Sequence, residues 1–402
     1  MNEIPILLSL PAEIREYIYK LILHPDANRQ HHDDDYTSYD YKPALVLFRI
    51  NKQIYLESRK IFRSLNTFVR IETPWPEARL HVAHEGHVPL LSAGPKAAKY
   101  AGHSMVVRID APEVPVEIGD EQMFLILMED LDKFCKMWYY SNLSHPGLNP
   151  QLRLTLILRD PFTPEYEEKR MLKGLQRKLL LPFGMVRDLK SVILMGDPKP
   201  LPSIESELRE QQAQPQESPE HCLSEAVRLK QLGNEELKKG NYTETLRLYS
   251  AAWLAIHVVI AGHKRHIHAD RFFSRELRES PYAGKNGQTE RLILRVQLVA
   301  NTCQVYLKQQ NYEECVFWGS RTINMLREAM GVNVQQATPE EEYVQEFPAA
   351  DSLGKIYYRT GIAMRELDGK TEARRLLRVA VQYLPNDRPV HEALSSVSLR
   401  LG

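Results

Sequence analysis

The stretch Lys355-Ile-Tyr-Tyr-Arg359-Thr-Gly361-Ile-Ala-Met-Arg-Glu-Leu-Asp-Gly-Lys-Thr-Glu-Ala373-Arg-Arg-Leu-Leu377-Arg-Val-Ala380-Val-Gln-Tyr-Leu-Pro385 decides the reading of the C-terminal half. Its apolar residues recur at helical spacing. The small residues Gly361, Ala373 and Ala380 fall where two helices can cross closely, and Pro385 ends the second of them. Working backwards, Asn301 to Leu307 followed by Asn311-Tyr312 gives a second such pair. Gly233-Asn234, then Gly240-Asn241-Tyr242 with Tyr249 and Ala252, gives a third. Helices that recur as pairs are the mark of a repeat solenoid, and an apolar segment from about Pro389 to Leu399 is expected to cap its end.

These spacings resemble tetratricopeptide repeats, and the last pair matches that pattern most fully. Thr245 and Cys315 stand where the family usually has alanine, and both are small. The period is interrupted at 258–290 and 329–348. The first interruption is expected to prolong the second helix of the first pair, as in immunophilin-type arrays. The expected array is an all-α solenoid over residues 222–402, with three repeats and a capping helix.

Lys230 and Asn234 lie four residues apart on the first helix of the first pair, and Lys355 and Arg359 do the same on the third pair. Asn301 stands eleven residues before Tyr312, which places it at a matching phase on the second pair. The five resemble the dicarboxylate clamp of chaperone-binding tetratricopeptide domains. That resemblance implies a groove holding the terminal carboxylate and last aspartate of a Glu-Glu-Val-Asp tail, as carried by heat-shock seventy and heat-shock ninety chaperones. The residue types suit the task. Cations make charge-assisted bonds to carboxylates, arginine through two parallel bonds, and asparagine donates without adding charge.

Upstream, Asp197 to Ser218 contains Pro198, Pro200, Pro202 and Pro215 and the run Gln211-Gln212-Ala213-Gln214. It reads as a linker over 197–221 with a helical piece near Ile204 to Glu210. In the first half, Ser9-Leu10-Pro11-Ala12-Glu13 looks like a helix start capped by Ser9, with Leu10, Ile14, Ile18 and Leu21 sharing one face. Leu47, Ile50, Ile54, Ile61 and Leu65 space out a second amphipathic helix, and the acidic stretch 33–41 between them reads as a loop. Over 72–196, strand-like runs at Met105 to Ile109, Leu154 to Leu158 and Val192 to Met195 alternate with helical patterns at Gln122 to Tyr140 and Tyr166 to Leu179. The alternation predicts an α/β layer, with a short leucine-rich-like stack as one form of it. The expected fold class is therefore an α+β N-terminal half followed by the helical solenoid.

The segment Leu10-Pro11-Ala12-Glu13-Ile14 with Phe48-Arg49-Ile50-Asn51-Lys52-Gln53-Ile54-Tyr55 and Asn66-Thr67-Phe68 resembles the F-box-like N-termini of many fungal proteins, over residues 5–71. The resemblance implies docking on a cullin-ligase adaptor through Leu10, Pro11 and Ile14. Two core helices packed on the α/β layer is the plainer reading of the same residues.

Composition bounds the rest. Lys plus Arg and Asp plus Glu total 52 each, so no net field draws the chain to nucleic acid or to an anionic membrane. The four cysteines form no CxxC pair, and no 18-residue apolar run occurs, which points to a soluble cytoplasmic or nuclear protein with no membrane partner. No P-loop, GxSxG elbow, HExxH helix or dinucleotide fingerprint is present, so no catalytic residue, enzyme activity or cofactor is expected. His31-His32 with Asp33, Asp34 and Asp35, and His263, His266, His268 with Asp270, fall in polar segments and read as solvated residues rather than metal sites.

Overall fold

The computed structural model describes residues 6–32, 36–113, 122–331, 338–344 and 346–397. They form two compact units, Met1–Gln216 and Glu217–Gly402. The chain is mixed, with an α/β sheet region in the first unit and a helical array in the second.

The first unit opens with a short turn α1 (Ile6–Ser9), helix α2 (Ala12–Leu23), a small hairpin β1 (Arg29–His31) and β2 (Thr37–Tyr39), and helix α3 (Lys52–Leu65). Pro11, not Ser9, occupies the position before α2. Asn51 caps α3, its Oδ1 accepting from Ile54 N at 2.9 Å. The buried face of α2 is Arg15, Tyr19 and Leu23, whereas Ile14 and Leu21 are 48% and 55% exposed. Of the face shared by Leu10, Ile14, Ile18 and Leu21, Ile14 and Leu21 are thus turned outward, while Leu10 and Ile18 are half-buried. Tyr19 and Leu23 of α2 pack on Ile54 and Ile61 of α3, and a polar contact joins the same two helices: Arg15 Nε and Nη2 donate to Glu57 at 3.0 and 2.7 Å, and Tyr19 OH donates to the same carboxylate at 3.0 Å. A bidentate arginine is worth more than a neutral hydrogen bond and fixes the pairing of the two helices.

A six-stranded sheet follows, built from β3 (Phe68–Thr73), β4 (Ser92–Ala93), β5 (His103–Asp110), β6 (Gln122–Leu127), β7 (Arg153–Arg159) and β8 (Ser191–Asp197). Two short helices, α4 (Ala78–Leu80) and α5 (Pro95–Lys99), flank β4. The strand order is β4-β6-β3-β5-β7-β8, with β3/β5 and β7/β8 parallel and the other pairs antiparallel. A leucine-rich stack keeps successive strands parallel neighbours, so the mixed order excludes that form of the α/β layer. The expected helix over Gln122 to Tyr140 also divides: Gln122–Leu127 is β6, and helix α6 is Leu131–Ser144. The run Met123-Phe-Leu-Ile-Leu has no periodicity that separates a buried strand from a buried helix. Helix α7 is Lys173–Leu180, shorter than the pattern from Tyr166 suggested.

The sheet core holds Ile71, Met105, Phe124, Leu154 and Leu156 against Phe134 and Trp138 of α6. His103 at the start of β5 is fully buried, its Nδ1 bonded to Tyr100 O at 2.9 Å and its Nε2 to Arg159. Helix α8 (Pro202–Gln212) lies inside the stretch read as a linker, yet Ile204 and Leu208 are completely buried in the sheet core. Two apolar residues at i, i+4 suffice to dock a helix whose other positions are polar. Gln212 Nε2 secures its end on Phe183 O and Val186 O at 3.0 and 3.2 Å.

The second unit stacks three helix pairs. They are α9 (Pro219–Lys239) with α10 (Tyr242–Ala255), α12 (Gly287–Lys308) with α13 (Tyr312–Met330), and α14 (Ala350–Glu366) with α15 (Lys370–Tyr383). A turn α11 (Asp270–Phe273) precedes the second pair, and α16 (Arg388–Val397) lies over the last, burying Val390 and Val397; residues 398–402 lie outside the described ones. Ser218 caps α9 by accepting from His221 N at 3.1 Å, Pro219 starts it, and Gly240 ends it at φ 81°. That left-handed conformation favours glycine. Close crossing needs glycine elsewhere too, since a Cβ at Gly233 would meet Tyr249 Cε1 at 2.5 Å.

The first interruption does not prolong α10. That helix stops at Ala255, and a hairpin follows, β9 (Val258–Ala261) with β10 (Lys264–Ile267), closed by Gly262 and His263. The β-branched Val258-Val259-Ile260 before a glycine favours strand and turn. In the second interruption, Glu342 is fully buried. It takes Arg327 Nε and Nη2 at 2.9 and 3.0 Å, Tyr357 OH at 2.9 Å and Arg375 Nη2 at 3.1 Å. Among the described residues, no helix is long and apolar enough to cross a membrane.

Candidate functional site

Helix α12 runs between α9 and α14, and Gln297, Asn301 and Gln304 lie along one of its faces at i, i+4 and i+7. Each meets a side chain from a neighbouring helix. Lys230 Nζ of α9 donates to Gln297 Oε1. Asn301 Nδ2 donates to Asn234 Oδ1 at 2.7 Å, and the same oxygen accepts from Tyr249 OH at 2.7 Å. From the other side, Arg359 of α14 donates through Nη2 to Gln304 Oε1 at 2.9 Å and through Nη1 to Ala300 O at 2.5 Å.

Four of the five residues singled out by sequence therefore converge on one helix face, and the fifth does not. Lys355 is exposed one turn before Arg359 and, among the described residues, has no hydrogen bond or ion pair. Gln297, Gln304 and the Tyr249 hydroxyl escaped the sequence reading. The two glutamines were findable from Asn301 alone, because they share its face.

The electrostatics of this face are one-sided. Burial pushes the Arg359 guanidinium below its ordinary value, and burial does the same to the Lys230 ammonium. Burial raises the Tyr249 hydroxyl to about 12, so it remains a donor at neutral pH. Among the described residues neither Lys230 nor Arg359 forms an ion pair, and Asn234 Nδ2 donates to nothing. The face offers two cations and amide donors with only neutral oxygens to satisfy them. That leaves it suited to an incoming carboxylate, which makes stronger bonds than an amide oxygen does. Leu229 and Tyr358, next to these residues in sequence, pack against the core.

In the first unit, Pro11 and Ile14 are exposed and Leu10 is half-buried, its carbonyl accepting from Arg15 Nη1 at 2.6 Å. Tyr17, 61% exposed, joins Ile14 and Leu21 to make a stripe at i, i+3, i+7 that the sequence reading had not isolated. Elsewhere the histidines have other partners. His32 Nε2 bonds Ser38 Oγ at 2.8 Å, while Asp33, Asp34 and Asp35 lie outside the described residues. His263 Nε2 bonds Glu314 at 2.7 Å, His266 and His268 stack, and Asp270 pairs with Arg291 at 2.9 Å. Among the described residues no group of three or more His, Cys, Asp or Glu is placed to hold a metal ion. The Cys135 thiol is fully enclosed, and burial holds it well above its ordinary value.

No protein-family model matches the chain, and no curated protein matches it either. Among solved structures, it is similar to the C-terminal TPR-containing domain of a Plasmodium falciparum FK506-binding protein. The likeness covers 45% of this chain and 91% of that one, at 14% identity and a TM-score of 0.29.

Proposed function

We propose that the protein is a non-catalytic adaptor whose helical array binds the acidic C-terminal tail of a partner. The tail chemistry that fits best is Glu-Glu-Val-Asp, as on heat-shock seventy and heat-shock ninety chaperones. The observation carrying this is Arg359, a half-buried guanidinium that faces only a carbonyl and an amide oxygen, beside Lys230, which faces only an amide oxygen. A terminal carboxylate that displaces Gln304 from Arg359 gains a charge-assisted bidentate contact, and Asn301 and Asn234 supply neutral donors beside it. Lys355, exposed one turn from Arg359, suits a second carboxylate of the peptide. Four buried, unpaired thiols fit residence in the cytoplasm or nucleus. The reading is tested by fluorescence anisotropy with a labelled Glu-Glu-Val-Asp peptide on the full chain. Arg359→Ala should weaken binding by 2 kcal/mol or more, roughly 30-fold. Unchanged affinity in that variant would remove the reading.

A second reading concerns the other unit: α2 docks on a cullin-ligase adaptor, with the array recruiting a substrate. It draws on the exposed stripe of Ile14, Tyr17 and Leu21, since contiguous apolar side chains left in water mark an interaction surface. Pulldown with the adaptor, using Ile14→Asp with Leu21→Asp as control, decides it. Capture of wild type but not of the variant is required.

A further inference from the structure

The six-stranded sheet ends on two unlike edges. At one, β4 is only two residues long and is flanked by α4 and α5. At the other, β8 pairs with β7 along all seven of its residues without a register shift, and among the described residues it has no strand on its far side. Soluble proteins guard a long open edge with proline, lysine or a bulge, or keep the strand very short. The run Ser191-Val-Ile-Leu-Met-Gly-Asp197 has none of these guards.

The backbone of β8 alternates between its two sides. Asp197 O accepts from Asp160 N at 3.3 Å, on the side of β7, so Ile193, Met195 and Asp197 turn their peptide groups inward. Val192 O is reached instead from α8, by Arg209 Nη2 at 3.5 Å. Val192, Leu194 and Gly196 therefore present N–H and C=O to the open edge. The side chains divide with the same period. Val192 and Leu194 pack on the sheet core, whereas Ile193 and Met195 leave the other face, 36% and 44% exposed. Ile157 of β7 stands beside Met195 and widens this apolar strip.

We propose that β8 pairs antiparallel with β8 of a second copy of this chain, about a two-fold axis through Leu194, so that two sheets become one. This register pairs the whole strand with itself. It sets Leu194 opposite the partner's Leu194, Val192 opposite the partner's Gly196, Ile193 opposite the partner's Met195 and Ser191 opposite the partner's Asp197. The outward groups of Val192, Leu194 and Gly196 gain hydrogen bonds, and Ile193 and Met195 cover each other across the seam. Charge favours the same direction. Arg209 stands at the Val192 end and the exposed Asp197 at the other, so antiparallel pairing brings each Arg209 toward the partner's Asp197. The contact is isologous and uses up the long edge of each copy, which stops assembly at the dimer.

Sedimentation equilibrium of the full chain, read against the 46.5 kDa of one copy, is the test. The chain should be mostly dimeric at about 100 μM and should dissociate on dilution. Ile193→Lys combined with Met195→Lys places like charges directly opposite each other and should weaken the dimer at least about a hundredfold. Both positions are exposed, so the double variant should keep the circular dichroism and melting temperature of dilute wild type. Oxidation by diamide reads the register. Ile193→Cys mixed with Met195→Cys should form an intermolecular disulfide faster than either variant alone, because facing Cα atoms in such a pair lie about 4.5 Å apart, within disulfide reach. The four native cysteines are buried and do not compete. A monomer at about 100 μM, a dimer that survives in the folded double-lysine variant, or cross-linking as fast in each single variant as in the mixture would overturn the proposal.

Discussion

Asn301 Nδ2 donates to Asn234 Oδ1 at 2.7 Å, tying the first helix of the second pair to the first helix of the first pair through two neutral amides. Under the proposed function the bond would serve both the scaffold and the peptide site. Asn301→Ala should cost about 1 kcal/mol of stability, because Tyr249 OH still satisfies Asn234. It should also weaken an acidic peptide by roughly 1.5–3 kcal/mol, since a donor to a charged acceptor is lost. Thermal melts and peptide titrations of the same variant measure both. A large stability loss with intact affinity would assign the pair to the scaffold alone.

Glu342 should be the most sensitive carboxylate of the array. It is completely buried among Arg327, Tyr357 and Arg375, and its removal strands the Arg327 guanidinium, which is only 3% exposed. Breaking a buried pair from one side costs about 3–5 kcal/mol. For a unit of this size, Glu342→Ala should therefore lower the melting temperature by roughly 6–20 °C. A shift within a degree of wild type would show that the pair contributes nothing.

His103 makes the sheet unit acid-sensitive. Burial, aided by Arg70 and Arg159, lowers its imidazole to about 4 from an ordinary 6.5. The unfolded chain takes up a proton near 6.5 while the folded one resists until about 4. Stability is thus full above 6.5 and is lost as pH falls toward 4, by about 3 kcal/mol over that window. Denaturant melts of wild type and His103→Gln between those pH values should diverge, with the variant flatter. Parallel curves would rule the histidine out as the cause.

Limited proteolysis should cut between the two units within 213–218, after α8 and before α9, and leave Pro202–Gln212 intact because Ile204 and Leu208 anchor it. Mass spectrometry of early fragments reads the position. Early cleavage inside α8 would contradict its docking.

The array was legible because its information is local. Gly233, Gly361, Ala373 and Ala380 mark close crossings that only small residues allow, and Gly240 and Pro385 punctuate the helices, so local spacing located the pairs, while the start of α9 at Pro219 fell inside the stretch read as a linker. Where the fold depends on long-range partners, the same reading failed. The contact of Arg15 with Glu57, forty-two residues away, pairs α2 with α3, and no local pattern reveals it. The strand β6 is set by pairing with β3 and β4, which its continuous apolar run does not reveal. Within the candidate groove, the phases of Asn234, Asn301 and Arg359 were readable, but the bridging roles of Gln297 and Gln304 depend on which neighbouring cation reaches them.

The central claim is that the Lys230–Asn234–Asn301–Arg359 face reads carboxylates at a chain end. Calorimetry with one peptide ending Glu-Glu-Val-Asp, as free acid and as C-terminal amide, tests it most directly on the full chain. The free acid should bind and weaken as salt rises, because part of the groove stays open to water. The amide, lacking one carboxylate, should bind weaker by about 2–5 kcal/mol. Equal affinity of the two peptides would contradict the account.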